Sequence, residues 1–109
     1  MRVKILIILF LIIGNVSAYT TSPDETDSTP CFGAWGRWLN LCETEVKIVA
    51  NNCVPFLTRV VINGEVYFVG DRMNSRYSCE HFDILKKTKK EALVWGRQKV
   101  EVRHWTFPF

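Results

Sequence analysis

Alternating apolar and polar positions predict a protein built mainly from β-strands. Residues 43–50 alternate apolar with charged side chains, and this period of two is typical of a half-buried strand. Residues 56–62 and 65–69 are rich in β-branched and aromatic side chains, which favour strands because they pack well on a pleated surface. The middle of the chain therefore predicts three strands.

The dipeptide Asn63-Gly64 joins the second and third of these runs. A two-residue type I′ turn requires positive φ at both central positions, and Asn and Gly tolerate that conformation better than other residues. We therefore expect a β-hairpin over residues 56–69.

The last third of the chain carries two patterns. Phe82 and Leu85 lie three residues apart, a spacing that favours a short helix near residues 80–90. Residues 92–95 and 99–105 flank Gly96 and have the period of two expected for strands, so they predict a second hairpin. The predicted fold class is mainly β: a small antiparallel sheet stapled by disulfides, with one short helix.

The longest apolar run lies at the N-terminus. Arg2 and Lys4 precede an unbroken apolar stretch at residues 5–13, and small residues follow up to Ala18. This order of charge, apolar run and small residues is that of a signal peptide. The alternative is an uncleaved membrane anchor, but the run is shorter than the roughly 20 residues that span a bilayer as a helix. We expect residues 1–18 to be removed and the product to be secreted into the extracellular space.

Cleavage after Ala18 would leave 91 of the 109 residues, enough for one domain. Residues 19–30 are polar and acidic, so we expect a disordered tail before a single domain at residues 31–109. No second apolar stretch in the sequence approaches membrane length, which predicts no stable membrane insertion.

Four cysteines supply the covalent support that so small a core needs. Their even number in an oxidising compartment predicts two disulfide bonds, with three connectivities open. A zinc site is the alternative, but the sequence has no Cys-x-x-Cys pair and its two histidines are isolated. We expect neither a metal nor a cofactor. The cysteines are Cys31, Cys42, Cys53 and Cys79.

The charges are unevenly distributed along the chain. Residues 19–109 contain 12 Lys and Arg and 11 Asp and Glu. This near-neutral balance does not favour nucleic acid as a partner. Residues 79–109 nevertheless carry seven basic and four acidic side chains. A dense lysine cluster there is a candidate site for a glycosaminoglycan or another sulfated glycan, and a solvated loop is the plainer alternative. The cluster consists of Lys86, Lys87, Lys89 and Lys90.

Trp35 and Trp38 lie between Cys31 and Cys42. This Cys-x3-Trp-x2-Trp-x3-Cys spacing resembles the opening of a thrombospondin type 1 repeat. The resemblance implies an elongated three-stranded secreted module in which Trp35 and Trp38 stack with arginines, Arg59 first among them, and which binds proteins or sulfated glycans. The alternative is that both rings are core side chains packed against a disulfide.

Catalysis finds little support in the sequence. Ser75 and Ser78 lie near His81 and Asp83, but no nucleophile-elbow motif surrounds either serine. We therefore expect a non-enzymatic binding module that recognises an extracellular protein or a sulfated glycan. Its candidate binding residues are Trp35, Trp38, Arg59, Lys86, Lys87, Lys89 and Lys90. The alternatives are a membrane-active effector of antimicrobial or venom-like type and a protease inhibitor.

Overall fold

The described part of the chain folds into a closed β-barrel with one short helix. The computed structural model describes residues 8–21, residue 31 and residues 39–106. The strands are β1 (Ile8–Tyr19), β2 (Ile48–Ala50), β3 (Arg59–Ile62), β4 (Glu65–Asp71), β5 (His81–Leu85) and β6 (Gln98–Thr106), and the helix α1 (Lys89–Trp95) lies between β5 and β6. The prediction of a mainly β fold is confirmed.

The barrel has the strand order β1-β5-β2-β4-β3-β6, with β6 closing on β1. Four neighbouring pairs are antiparallel, but β1 with β5 and β2 with β4 are parallel. The sheet is therefore mixed, where the sequence predicted an antiparallel one. Parallel pairs need long connections, and period-two patterning does not reveal which distant strands those connections bring together.

The predicted hairpin is present as β3 and β4. Asn63 has φ 51° and Gly64 has φ 77°, the positive values that the turn requires. Val61 lies opposite Val66, and Arg59 lies opposite Phe68. The prediction from Asn63-Gly64 is confirmed.

The helix lies further along the chain than predicted. Residues 81–85 form β5, in which Phe82 and Ile84 are almost fully buried, so the effective pattern here is period two rather than the helical spacing. The helix starts only after Thr88, whose hydroxyl accepts a hydrogen bond from the Glu91 backbone N–H at 3.1 Å. Thr88-x-x-Glu91 is the capping-box signal for this start.

The predicted second hairpin is wrong. Its first arm, residues 92–95, belongs to α1, whose C-cap is Gly96 with φ 65°. Its second arm is β6, which pairs with β1 and β3 instead. An apolar run of four residues does not distinguish a strand from a helix turn by periodicity.

β2 is much shorter than the predicted strand at residues 43–50. All three of its residues are buried. Val49 faces the barrel core. Ile48 is buried on the other face, where its side chain and that of Leu39 both approach the Cβ position of Gly70 on the neighbouring strand. Because both faces of β2 are buried, its residues do not show the alternation of apolar and polar side chains that a half-buried strand has. At Gly70 of β4, a Cβ would be 2.7 Å from Leu39 Cδ2.

The barrel interior is the hydrophobic core. Phe82 is its largest fully buried side chain, and side chains from all six strands meet around it. The core consists of Val16, Val49, Val54, Val60, Ile62, Tyr67, Val69, Phe82, Ile84 and Val102.

Two disulfide bonds settle the connectivity that the sequence left open. Cys31 pairs with Cys42, and Cys53 pairs with Cys79. The second bond joins the loop after β2 to the loop before β5. Asn51 reinforces that junction, because its buried side-chain amide donates to the Cys79 and His81 carbonyls at 3.0 and 2.9 Å.

β1 consists almost entirely of residues predicted to be a signal peptide. It contributes Val16 to the core, and its Ser17 hydroxyl donates to Asp83 Oδ1 at 3.0 Å. In this structure of the full chain, the leader therefore serves as a barrel strand. The predicted disordered tail lies largely outside the described residues.

Candidate anion-binding site

The predicted aromatic site lies mostly outside the described residues. Trp35 and Trp38 both lie in segment 32–38, outside the described residues. Arg59 is exposed at the start of β3. Stacking of the two rings with Arg59 therefore stays a prediction.

The predicted lysine cluster occupies the turn from β5 into α1. Lys86 is half-buried, and its ammonium nitrogen lies 5.4 Å from the centroid of the Trp95 ring, within cation–π range. Lys87 is exposed in the turn, and Lys89 and Lys90 are exposed as the first two residues of α1.

Lys86 and Lys90 line one cleft, which we call the lysine cleft. It has a volume of about 440 Å³. Trp95 is anchored beside it, because its indole N–H donates to the Val16 carbonyl at 3.2 Å. Gln98 donates to the Trp95 carbonyl at 3.1 Å and fixes the start of β6. The cleft is lined by Lys86, Lys90, Glu91, Val94, Trp95 and Gln98.

Gln98 also borders a second cleft, which we call the arginine cleft. It has a volume of about 390 Å³ at the end of the barrel. Arg97 and Lys99 bring two exposed cations to it. None of its described lining residues is acidic. They are Asn15, Val16, Ser17, Met73, Tyr77, His81, Arg97, Gln98 and Lys99.

A search among protein families, curated proteins and solved structures finds no match to this chain. The chemistry of the two clefts must therefore carry the functional inference. The described residues include no group of His, Cys, Asp and Glu that could hold a metal ion. They also include no helix with the length and apolarity needed to cross a membrane.

His81 adds a hydrogen-bonding group to the arginine cleft. Its Nδ1 lies 3.1 Å from the Ser78 hydroxyl, and the Tyr77 ring lies with its centroid 5.3 Å from the imidazole centroid. Arg76 stacks over Tyr77 at 5.0 Å and donates to its hydroxyl at 3.1 Å. These contacts hold His81 and Tyr77 in place beside Arg97 and Lys99.

Two cations elsewhere on the barrel contact carboxylates directly. Lys47 lies 2.9 Å from Glu65, and Arg103 pairs with Glu101. The hydrogen bond from Lys47 holds the pKa of the Glu65 carboxyl below its usual value. Lys47 and Arg103 can therefore be compared with the cations of the two clefts, because their own charges are already paired with carboxylates.

Arg97 and Lys99 were missed as candidate residues at the sequence level. The pattern of the predicted second hairpin puts Arg97 in the turn and Lys99 on the solvent-facing side of the second strand. What the sequence did not show is that α1 returns the chain so that Gln98 stands between these cations and the pair Lys86 and Lys90. A basic site built from both sides of a helix leaves no continuous motif.

Proposed function

We propose that this chain is a secreted binding module and that the cations of the two adjoining clefts recognise a sulfated glycan outside the cell. Asn15, Val16 and Ser17 of the arginine cleft belong to the leader and leave with it, so the proposal rests on the lining residues between 73 and 99. The observation that carries the proposal is the grouping of four cations, Lys86, Lys90, Arg97 and Lys99, on either side of Gln98. Glu91 is the one acidic side chain among the described lining residues of both clefts.

The spacing of the cations suits a linear polyanion better than a compact one. The two clefts adjoin along one wall, so successive sulfate groups of one chain would each find a cation. Arginine binds such oxyanions through a planar fork of N–H donors, and lysine through a compact charge. Neutral polar groups at His81 and Tyr77 supply further hydrogen-bonding partners in the arginine cleft.

Secretion belongs to the same proposal. The leader pattern at residues 1–18 directs the chain to an oxidising compartment, and the two disulfide bonds are compatible with that location. We include the absence of catalysis in the proposal, because the Ser78–His81 contact spans one tight turn.

The test is elution of the secreted protein from immobilised heparin in a salt gradient. Lys86→Gln/Lys90→Gln and Arg97→Gln/Lys99→Gln should each elute at lower salt, because binding releases counterions in proportion to the number of contacts. The matched control is Lys47→Gln/Arg103→Gln, which removes two charges that are already paired with carboxylates.

The control separates a site from a net-charge effect. If all three double variants shift equally, the retention reflects overall charge and the clefts are not the site. If the unchanged protein passes through at physiological salt, the glycan proposal fails. Dye release from anionic vesicles by the secreted protein would instead favour the membrane-active alternative.

A further inference from the structure

Strand β1 bridges β5 and β6, and we call the place it occupies along their edges the slot. Only Asn15 and Val16 pair with both strands. The C-terminal part of β1 pairs with β5 in parallel over five positions, from Asn15 to Tyr19. Its N-terminal part pairs with β6 in antiparallel orientation over nine positions, from Ile8 to Val16. Removal of residues 1–18 would therefore leave β5 and β6 each with one unpaired edge.

We propose that this slot, once the leader has been cleaved, binds an extended apolar strand of another protein. The inference rests on the leader removal included in the proposed function. Addition of a strand to open sheet edges gives affinity through backbone hydrogen bonds and specificity through alternate side-chain pockets. The leader seated in the slot shows what an occupant must look like.

The inner face of the slot restricts the side chains that an occupant can carry. Val16 is 1% exposed in the core, against Phe82 and Val102, which are fully buried. Gly14 passes so close to them that a Cβ would lie 2.8 Å from Val102 Cγ2 and 3.1 Å from Phe82 Cδ2. The occupant must therefore carry glycine at this position and an aliphatic side chain two residues later.

The outer face of the slot is permissive. Leu11 and Ile13 are 55% and 66% exposed, so the alternate positions of an occupant need no particular side chain. Two residues before the glycine, Ile12 packs partly against the core. The partner segment thus has the pattern aliphatic-x-Gly-x-aliphatic, in which the position before the glycine is free.

The end of the slot persists after cleavage. Tyr19 would be the first residue of the secreted chain, and its hydroxyl donates to Asp71 Oδ2 at 2.9 Å while its carbonyl accepts from the Lys86 N–H at 2.8 Å. These contacts would keep the new N-terminus at the mouth of the slot. A second copy of the chain is a poorer occupant, because the strands β2 to β6 are already committed to its own barrel.

The experiment uses the secreted product, with its N-terminus assigned by intact mass. The probe is a synthetic peptide of residues 8–18 with a solubilising lysine tail, titrated by calorimetry and by tryptophan fluorescence. We expect saturable one-to-one binding and a fluorescence change. The Trp95 indole donates to the Val16 carbonyl, and Trp105 lies opposite Leu9 in register. A Trp95→Phe variant should therefore show a smaller fluorescence change but still bind in the calorimeter.

The matched control peptide carries Gly14→Val. It should bind about tenfold or more weakly, since the added side chain overlaps Val102 and Phe82. Equal binding of both peptides, or no binding of either, would overturn the proposal. So would a secreted chain that retains residues 1–18, or a stable dimer whose formation excludes the peptide. Retention on heparin is read separately, so the glycan and the strand proposals can fail independently.

Discussion

The β3–β4 hairpin and strand β1 belong to the same barrel, but their places in it are specified in opposite ways. The hairpin strands pair across the Asn63-Gly64 turn, so that Ile62 meets Glu65 close by in sequence. β1 meets only distant partners: Asn15 pairs with His81, and Val16 pairs with Gln98. The strand pairing of the hairpin is set by its own turn. The position of β1 is set by distant strands of the barrel.

This difference separates a permanent element from a replaceable one. The two strands of the hairpin are joined by a two-residue turn, so their pairing costs little loop-closure entropy. A strand held by long-range pairing alone can leave if the chain is cut, and its place can then be taken by another strand. The signal-peptide pattern of residues 1–18 predicts such a cut after Ala18, within β1.

The largest expected effect comes from replacing a buried core residue of the hairpin, with a core residue of β1 as the comparison. Ile62→Ala on β3 removes a fully buried side chain and should lower the free energy of unfolding by about 2–5 kcal/mol, measured by urea denaturation of the secreted protein. Val16→Ala on β1 should leave that value unchanged, because the residue departs with the leader. A comparable loss from both variants would show that β1 stays in the folded product.

The Cys53–Cys79 bond ties the segment before the hairpin to the segment before β5, the strand that pairs with the C-terminal part of β1. Replacing both cysteines by serine should reduce the free energy of unfolding by about 2–4 kcal/mol, because the unfolded chain regains loop entropy. Thermal unfolding followed by circular dichroism measures this. The Cys31–Cys42 bond closes a shorter loop, with a sequence separation of 11 residues against 26. The Cys31→Ser/Cys42→Ser variant should therefore lose less free energy of unfolding. A larger loss of free energy of unfolding for that variant would contradict the loop-entropy explanation.

Gly64→Ala tests the hairpin turn alone. Gly64 has φ 77° and no atom within 4 Å of the position of an added Cβ, so the cost is that of the left-handed backbone, about 1–2 kcal/mol. The midpoint of urea denaturation should fall accordingly. Gly14→Ala is the counterpart in β1, where the added Cβ collides with core side chains. It should leave the secreted product unaffected, and an effect there would place β1 in the mature fold.

The sequence predicts those parts of the fold whose signals are local. Asn63-Gly64 identifies the hairpin, and the even cysteine count predicts two disulfides. The sequence does not predict that β5 and β1 run parallel, because that pairing depends on the path of the chain between them. It misplaces the helix because Phe82 and Leu85 imitate a helical face, while the capping signal at Thr88 lies further on.

The candidate site divides in the same way. Lys86 and Lys90 are visible as part of a basic run, whereas Arg97 and Lys99 join them only because α1 folds the chain back beside Gln98. Charge density along a sequence shows how many cations are close in the chain. It does not show which of them share a cleft, since that depends on turns such as the one at Gly96.

His104 gives the smallest expected effect, and it reports on both regions at once. In register it lies on β6 between Val60 of β3 and Phe10 of β1. Burial lowers the pKa of its imidazole below the ordinary value, so the folded state favours the neutral ring. As the pH falls through the ordinary histidine range, the unfolded chain takes up the proton first, and the free energy of unfolding decreases.

His104→Asn should therefore flatten the decline of stability between about pH 7 and pH 5, the range in which an ordinary histidine protonates. The comparison becomes sharper when the His104 pKa of the secreted protein is measured by NMR with and without the peptide of residues 8–18. Filling the slot beside β6 should bury the ring further and lower its pKa again. An unchanged pKa on peptide binding would mean that the hairpin side alone desolvates His104, and that the β1 slot does not extend to this end of the barrel.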